Sequence, residues 1–116
     1  MNYLVTGGAG FIGSNLVERL IETGSKITVI DNLSTGRLQN LKSFNDSIKI
    51  IEADISEQGD WMASFCDADV VFHLAALADI VPSIQNPFGY YKANVDGTFN
   101  VLEAARKAKV KKLIYA

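Results

Sequence analysis

A chain of 116 residues, 48% hydrophobic and 21% charged, has the size and composition of one soluble domain. A formal net charge of −2 supplies no basic field for a polyanion, which excludes nucleic acid as the expected partner, and no apolar run reaches the length of a membrane span. One cysteine, Cys66, and one histidine, His73, can build neither an internal disulfide nor a zinc site of Cys and His ligands.

Cys66 is read as a small, partly buried hydrophobe. Met1 to Gly8 show no basic region ahead of an apolar run, so a cytoplasmic location is expected. Tyr3 to Val5 predict a buried strand, and Gly7 to Gly13 a turn. From Ile12 apolar residues recur at Leu16, Val17, Leu20 and Ile21, one face of a helix that Gly24 is placed to end. Lys26 to Asp31 predict a second strand, followed by a polar loop and a short helix around Arg37 to Phe44. Ile48 to Ala53 predict a third strand, Glu57 to Phe65 a weak helix, and Asp69 to Leu74 a fourth strand. Beyond Pro87, Val95, Phe99, Leu102 and Ala105 recur at helical spacing, predicting one long helix to about Lys109. Lys112 to Ala116 begin a fifth strand. Trp61, Phe65 and the pair Tyr90 and Tyr91 are expected to pack the core or a helix interface, and Lys107, Lys109, Lys111 and Lys112 to be solvated. Strands apolar on both faces, alternating with helices, predict a parallel sheet covered on both sides, an α/β doubly wound sheet of Rossmann type.

The turn after the first strand carries the chemistry. Gly7, Gly10 and Gly13 fall at steps of three, and Gly8, Gly10 and Gly13 also satisfy the Gly-x-Gly-x-x-Gly spacing. The first glycine allows the tight turn, the second leaves room for a pyrophosphate against the backbone, and the third permits close packing of the helix. The helix start then offers unpaired N–H groups to phosphate. A P-loop is excluded, since no Lys-Ser or Lys-Thr follows the glycines. Asp31 ends the second strand, 18 residues after Gly13, where an acid accepts from the ribose 2′-OH and repels a 2′-phosphate. Asn32 to Gly36 contain no Arg or Lys to offset it, and Arg37 is the nearest cation. The expected cofactor is NAD, and residues 1–116 are read as its binding domain.

In this order Thr6-Gly7-Gly8-Ala9-Gly10-Phe11-Ile12-Gly13, Asp31 to Gly36, Ala53-Asp54-Ile55, His73-Leu74-Ala75-Ala76 and Asn94 to Thr98 resemble the extended short-chain dehydrogenases. That family includes the NAD-dependent nucleotide-sugar epimerases and dehydratases, with UDP-glucose 4-epimerase a typical member. The resemblance spans Met1 to Ala116. It implies backbone contacts from Phe11 and Ile12 to the pyrophosphate, and a ribose loop that includes Asn32, Leu33, Ser34 and Gly36. Asp54 and Ile55 would flank the adenine, and Leu74, Ala75 and Ala76 would line the path to the nicotinamide. Asn94 would either touch the ligand or brace the sheet. The implied parent takes a nucleotide-sugar substrate, is a homodimer through the helix after Pro87, and continues past Ala116 into a substrate lobe. An isolated part of this kind is expected to expose apolar surface and an unpaired sheet edge.

Two departures from the family pattern matter. Some epimerases carry a lysine four residues after the position of Leu74, and here Ala78 stands there, which leaves epimerase and 4,6-dehydratase both open. The family's Tyr-x-x-x-Lys is absent: Gly7 follows Tyr3 at that spacing, Asn94 follows Tyr90, Val95 follows Tyr91, and Tyr115 is next to the end. His73 lies in an apolar run and is read as a structural, hydrogen-bonded residue. No catalytic residue and no metal ligand is assigned. A non-catalytic NAD-binding module is the reading from another class. A reductase of hydroxy-ketones is a narrower rival, and Asp31 argues against it because reductive members usually prefer NADP.

Overall fold

Short runs rich in Ile, Val and Leu form the strands β1 (Asn2–Thr6), β2 (Lys26–Asp31), β3 (Ile48–Glu52), β4 (Val70–His73) and β5 (Lys112–Tyr115). The computed structural model describes residues 1–116 and pairs these strands in parallel, in the order β3-β2-β1-β4-β5. The chain therefore builds outward from β1 to β3, then crosses back to lay β4 on the other side of β1. That reversal opens a crevice at the carboxyl ends of β1 and β4, the place where open α/β sheets bind ligands.

Alternation along the strands sends side chains into two cores. Val5, Ile27 and Val29 pack with Val17 and Leu20 of the helix α1 (Phe11–Ile21) and with Leu41. Leu4, Ile30 and Val71 face the other way, onto Trp61, Phe65, Val101, Ala104 and Ala105. Phe65 is fully buried with its ring 5.8 Å from that of Trp61. Side chains of this kind each contribute about 1.5–3 kcal/mol by leaving water.

The predicted strands and α1 are present, and Gly24 closes the turn after α1 at φ +75°. The two weak helices are 3₁₀ segments, Leu38–Ser47 and Asp60–Asp67, the first interrupted at Phe44. Its Asn, Ser and Asp side chains compete with the backbone for hydrogen bonds and so favour short turns over a regular helix. A helix with no counterpart among the predicted elements, α2 (Ile80–Gln85), follows β4. Pro82 is its third residue, where a missing N–H costs nothing.

The long helix expected beyond Pro87 is built in three pieces: α3 (Pro87–Tyr91), a π-helical turn (Lys92–Asp96) and α4 (Gly97–Ala108). Its helical period is as predicted, but of the predicted stripe only Ala105 is buried. Gly97, Asn100, Val101, Ala104 and Ala105 face the sheet, whereas Val95, Phe99 and Leu102 are 48–60% exposed. Phe88 and Tyr91 are exposed as well, so Tyr91 does not pack the core. Cys66 is also exposed: its neighbour Phe65 takes the inward position of the 3₁₀ turn. The four lysines Lys107, Lys109, Lys111 and Lys112 are solvated, with Lys109 ending α4 at φ +57°. The edge strand β5 leaves Ile114 and Tyr115 exposed.

Candidate functional site

A cavity of about 400 Å³ opens at the carboxyl ends of β1, β2 and β4. Its lining brings together Gly7, Gly10, Phe11, Ile12, Gly13, Asp31, Asn32, Ser34, Gly36, Asp54, Ile55, Leu74, Ala75 and Ala76, residues scattered over the first two-thirds of the chain. Leu33 and Asn94 are not in the lining.

Each glycine of the first turn meets different surroundings. A β-carbon on Gly7, at φ +72°, would lie 2.7 Å from the Ala75 amide nitrogen, so the turn touches the segment that follows β4. At Gly8 it would meet Val29 of β2 at 2.6 Å, and at Gly13 the Gly7 carbonyl at 2.2 Å. Close packing against the sheet is thus the work of Gly8, and Gly13 seats the helix on the turn itself. Gly10 is the exception, with nothing nearer than the Gly7 carbonyl at 3.4 Å. Gly10 is also the N-cap of α1, and no side chain caps that helix. The first amides of α1 have no partner within the helix, and Phe11, Ile12 and Gly13, which carry them, line the cavity.

Asp31 is nearly buried, and its carboxylate is held at both ends. Oδ2 accepts from the Ala9 amide at 2.9 Å and Oδ1 from the Leu33 amide at 2.8 Å. An ionised carboxylate has about four acceptor positions, so each oxygen keeps one for a ligand hydroxyl. Leu33 therefore acts through Asp31. It adopts the left-handed region at φ +60°, a conformation worth about 1 kcal/mol or more of strain for such a residue. The Asp31 bond and packing of the Leu33 side chain against the α1-side core hold it there. The ribose loop closes on the glycine turn through Arg37 N–H and Asn40 Nδ2, which both donate to the Ala9 carbonyl. At Gly36 a β-carbon would come within 2.9 Å of Asp31 Oδ2. The Arg37 side chain is exposed and does not line the cavity.

At the adenine end named by the resemblance, Asp54 Oδ1 accepts from the amide and hydroxyl of Ser56. Ile55 is fixed from behind: Asn100 of α4 donates to its carbonyl at 2.9 Å, and Gly97 lets α4 lie against its side chain. On the opposite wall Leu77 and Ala78 extend the line of Leu74 to Ala76. Asn94, in the π turn, accepts from the Leu77 amide at 2.8 Å and donates to the Leu77 carbonyl at 2.9 Å. Its side chain braces that wall. Beside it Ala93 reaches the cavity, a contribution that no spacing in the sequence announces, whereas Thr35 and Ala53 sit within motifs already singled out. His73 is buried and hydrogen-bonded through both ring nitrogens, as the structural reading expects. No group of His, Cys, Asp and Glu side chains is arranged to hold a metal ion.

The arrangement can seat an elongated ligand with phosphates at its centre, a diol at Asp31 and flat groups at either end. Comparison with known proteins identifies the family. A model of the NAD dependent epimerase/dehydratase family matches residues 3–116. UDP-glucose 4-epimerase from Mycolicibacterium smegmatis is 41% identical over 119 residues, covering 99% of this chain and 38% of that protein. A UDP-N-acetyl-alpha-D-glucosaminuronate decarboxylase from Bacillus cytotoxicus is 39% identical over 113 residues, covering 97% of this chain and 35% of its own length. The crystal structure of UDP-glucose 4-epimerase with UDP-glucose from Thermotoga maritima superposes with a TM-score of 0.92 at 41% identity, covering 99% of this chain and 37% of that one. The chain thus spans little more than a third of each relative.

Proposed function

Because the chain belongs to the NAD-dependent epimerase/dehydratase family, we propose that residues 1–116 form the NAD-binding domain of a nucleotide-sugar epimerase of the UDP-glucose 4-epimerase kind. The observation that carries the reading is the nearly buried Asp31 carboxylate, fixed at one end of a cavity whose centre is the uncapped start of α1. Gly10 leaves space for a pyrophosphate against the amides of Phe11, Ile12 and Gly13. Asp31, with Asn32, Ser34 and Gly36 around it, would take the ribose diol, and Leu33 would hold Asp31 in place. Asp54 and Ile55 would flank the adenine, while Leu74, Ala75 and Ala76 guide the other half of the molecule, with Asn94 steadying their continuation. NAD, when bound, supplies reversible hydride exchange with the sugar. This chain's part is to hold and select it, since none of its tyrosines carries a lysine four residues on.

Calorimetric titration tests the reading: NAD should bind and NADP should bind at least about tenfold more weakly, because a 2′-phosphate would meet the Asp31 carboxylate. Equal affinity for both, or for neither, would overturn it. Ala78, where some epimerases have lysine, leaves a nucleotide-sugar 4,6-dehydratase open as the second reading.

The same proposal includes a homodimer. Phe88, Tyr91, Val95, Phe99 and Leu102, spaced by three or four residues, form an exposed apolar stripe along α3 and α4, and stripes of this kind mark association surfaces. Phe99→Glu should convert dimers to monomers in sedimentation with little change in thermal stability of the monomer; an unchanged sedimentation coefficient would place the interface elsewhere. No helix is long and apolar enough to cross a membrane, and we place the enzyme in the cytoplasm.

A further inference from the structure

Beneath the cavity, where β1 and β4 end side by side, lies a polar cluster that cofactor contacts do not account for. Thr6 and His73 are register partners, both buried, on the side of the sheet that α4 covers. His73 Nδ1 lies 2.6 Å from Thr6 Oγ1, and Nε2 lies 2.8 Å from Thr98 Oγ1 in the first turn of α4. Two more donors converge on Thr6 Oγ1, the amides of Leu74 and Ala75, each at 3.2 Å, the Leu74 amide being shared with the Thr6 carbonyl at 3.1 Å. An amide can only donate, and a hydroxyl has one proton to give. His73 Nδ1 is therefore the one acceptor among the three groups on Thr6 Oγ1, and it must be bare. The proton of the neutral ring then sits on Nε2 and is donated to Thr98. Hydroxyl stoichiometry alone selects the tautomer.

We propose that His73, as its Nε2–H tautomer, is a positioning residue for the dinucleotide cavity: by accepting the Thr6 proton it turns the Thr6 lone pairs toward Leu74 and Ala75 and sets the backbone wall that faces Gly7. What the wall contacts rests on the NAD reading; the relay itself does not. The wall has no slack, since Ala75 already crowds the place where a Gly7 side chain would be. The groups facing the ring are Thr6 from β1, Thr98 from α4 and, as its register partner on β5, Tyr115. No carboxylate, amine or guanidinium bears on it, and burial alone holds the His73 pKa below its ordinary 6.5. A protonated ring would aim a second N–H at a Thr6 oxygen that already receives two. The unfolded chain takes up this proton near pH 6.5 and the folded chain only at lower pH. The contribution to stability is therefore complete above 6.5 and is lost as pH falls from there through the lowered pKa. Dinucleotide affinity should weaken in the same direction.

His73 is the only histidine of the chain, so a nitrogen-15 imidazole spectrum of the unaltered protein reads its state directly. At neutral pH, Nδ1 should be unprotonated and Nε2 protonated, with the Leu74 and Ala75 amides slow in hydrogen exchange. His73→Leu leaves the buried Thr6 hydroxyl without its acceptor and free to turn, which should speed exchange at the Ala75 amide and weaken NAD binding, each by roughly tenfold, while the Leu74 amide keeps the Thr6 carbonyl. The substitution should also remove the decline of NAD affinity as pH falls through the lowered His73 pKa. Thr6→Ser keeps the hydroxyl and should retain the slow amides. A proton on Nδ1 overturns the proposal, and so does an Ala75 amide indifferent to His73→Leu in a folded variant. Because the spectrum needs no substitution, a variant that fails to fold does not decide the matter. The expected tautomer and slow amides in a chain that binds no NAD would overturn the cofactor reading instead of the relay.

Discussion

Gly10→Val should abolish NAD binding and leave the fold standing. Most single-glycine substitutions in this turn cannot separate the two effects. Gly13→Ala places a β-carbon 2.2 Å from the Gly7 carbonyl and 2.8 Å from the Gly8 α-carbon. Both are backbone atoms that can yield only if the turn is rebuilt, at a cost of roughly 3 kcal/mol or more. Gly10 differs in both respects. Its backbone is extended, at φ −75° and ψ 177°, a conformation any residue adopts, and a β-carbon there meets only one carbonyl at 3.4 Å. The new side chain would stand at the start of α1, in the place proposed for the pyrophosphate. The expected loss of NAD affinity is at least about a hundredfold, since the phosphates cannot reach the helix start. Thermal unfolding should stay within a few degrees of the parent protein. Calorimetry and a melting curve on the same preparation check both halves, and a Gly10→Val protein that binds NAD normally would refute the placement of the phosphates.

Asp31→Ala should lose affinity and stability together. The carboxylate accepts from Ala9 and Leu33, two amides joined to different loops. Without it both lose their acceptor in a nearly closed environment, a penalty of roughly 2–4 kcal/mol for the pair. Leu33, held at φ +60° in part by that bond, is then free to leave the left-handed region. NAD affinity should drop by at least about tenfold as the ribose hydroxyls lose a charged acceptor. NADP should lose less, because its 2′-phosphate no longer faces a carboxylate, so the ratio of the two dissociation constants should contract. Titration with both dinucleotides measures that ratio, and an unchanged ratio would show that Asp31 holds the loops together without choosing the cofactor.

How far the sequence foretold this molecule depends on the range of the interaction concerned. The glycine turn and Asp31 were legible because their constraints are local: a turn that must avoid β-carbons, and an acid at a strand end. The order of strands and helices was legible because each short apolar run can be satisfied only by a sheet covered on both faces. The side of α4 that meets the sheet was not. Val95, Phe99 and Leu102 obey the helical period as well as Val101, Ala104 and Ala105 do, and apolar residues alone do not say which stripe faces the sheet. Helix α2 escaped notice because six residues containing a proline give no periodicity to detect. The role of Leu33 was hidden because the useful group is its amide, and every residue but proline has one. The bracing role of Asn94 depends on Leu77, a partner 17 residues away that no local pattern marks.

The π turn and the helix after it also tie separate parts of the cavity lining together. Asn94, Thr98 and Asn100, all on the inner side of that segment, are bonded to Leu77, His73 and Ile55 in turn. These are short arms with one or two rotatable bonds, each spanning less than 3 Å to its partner. Hydrogen bonds of this length weaken steeply when stretched by about an ångström, so the segment cannot slide along its axis and keep any of the three. The stretches that carry Leu77 and Ile55, both in the cavity lining, are thereby tied to one helical segment, so a shift of that segment would move both together.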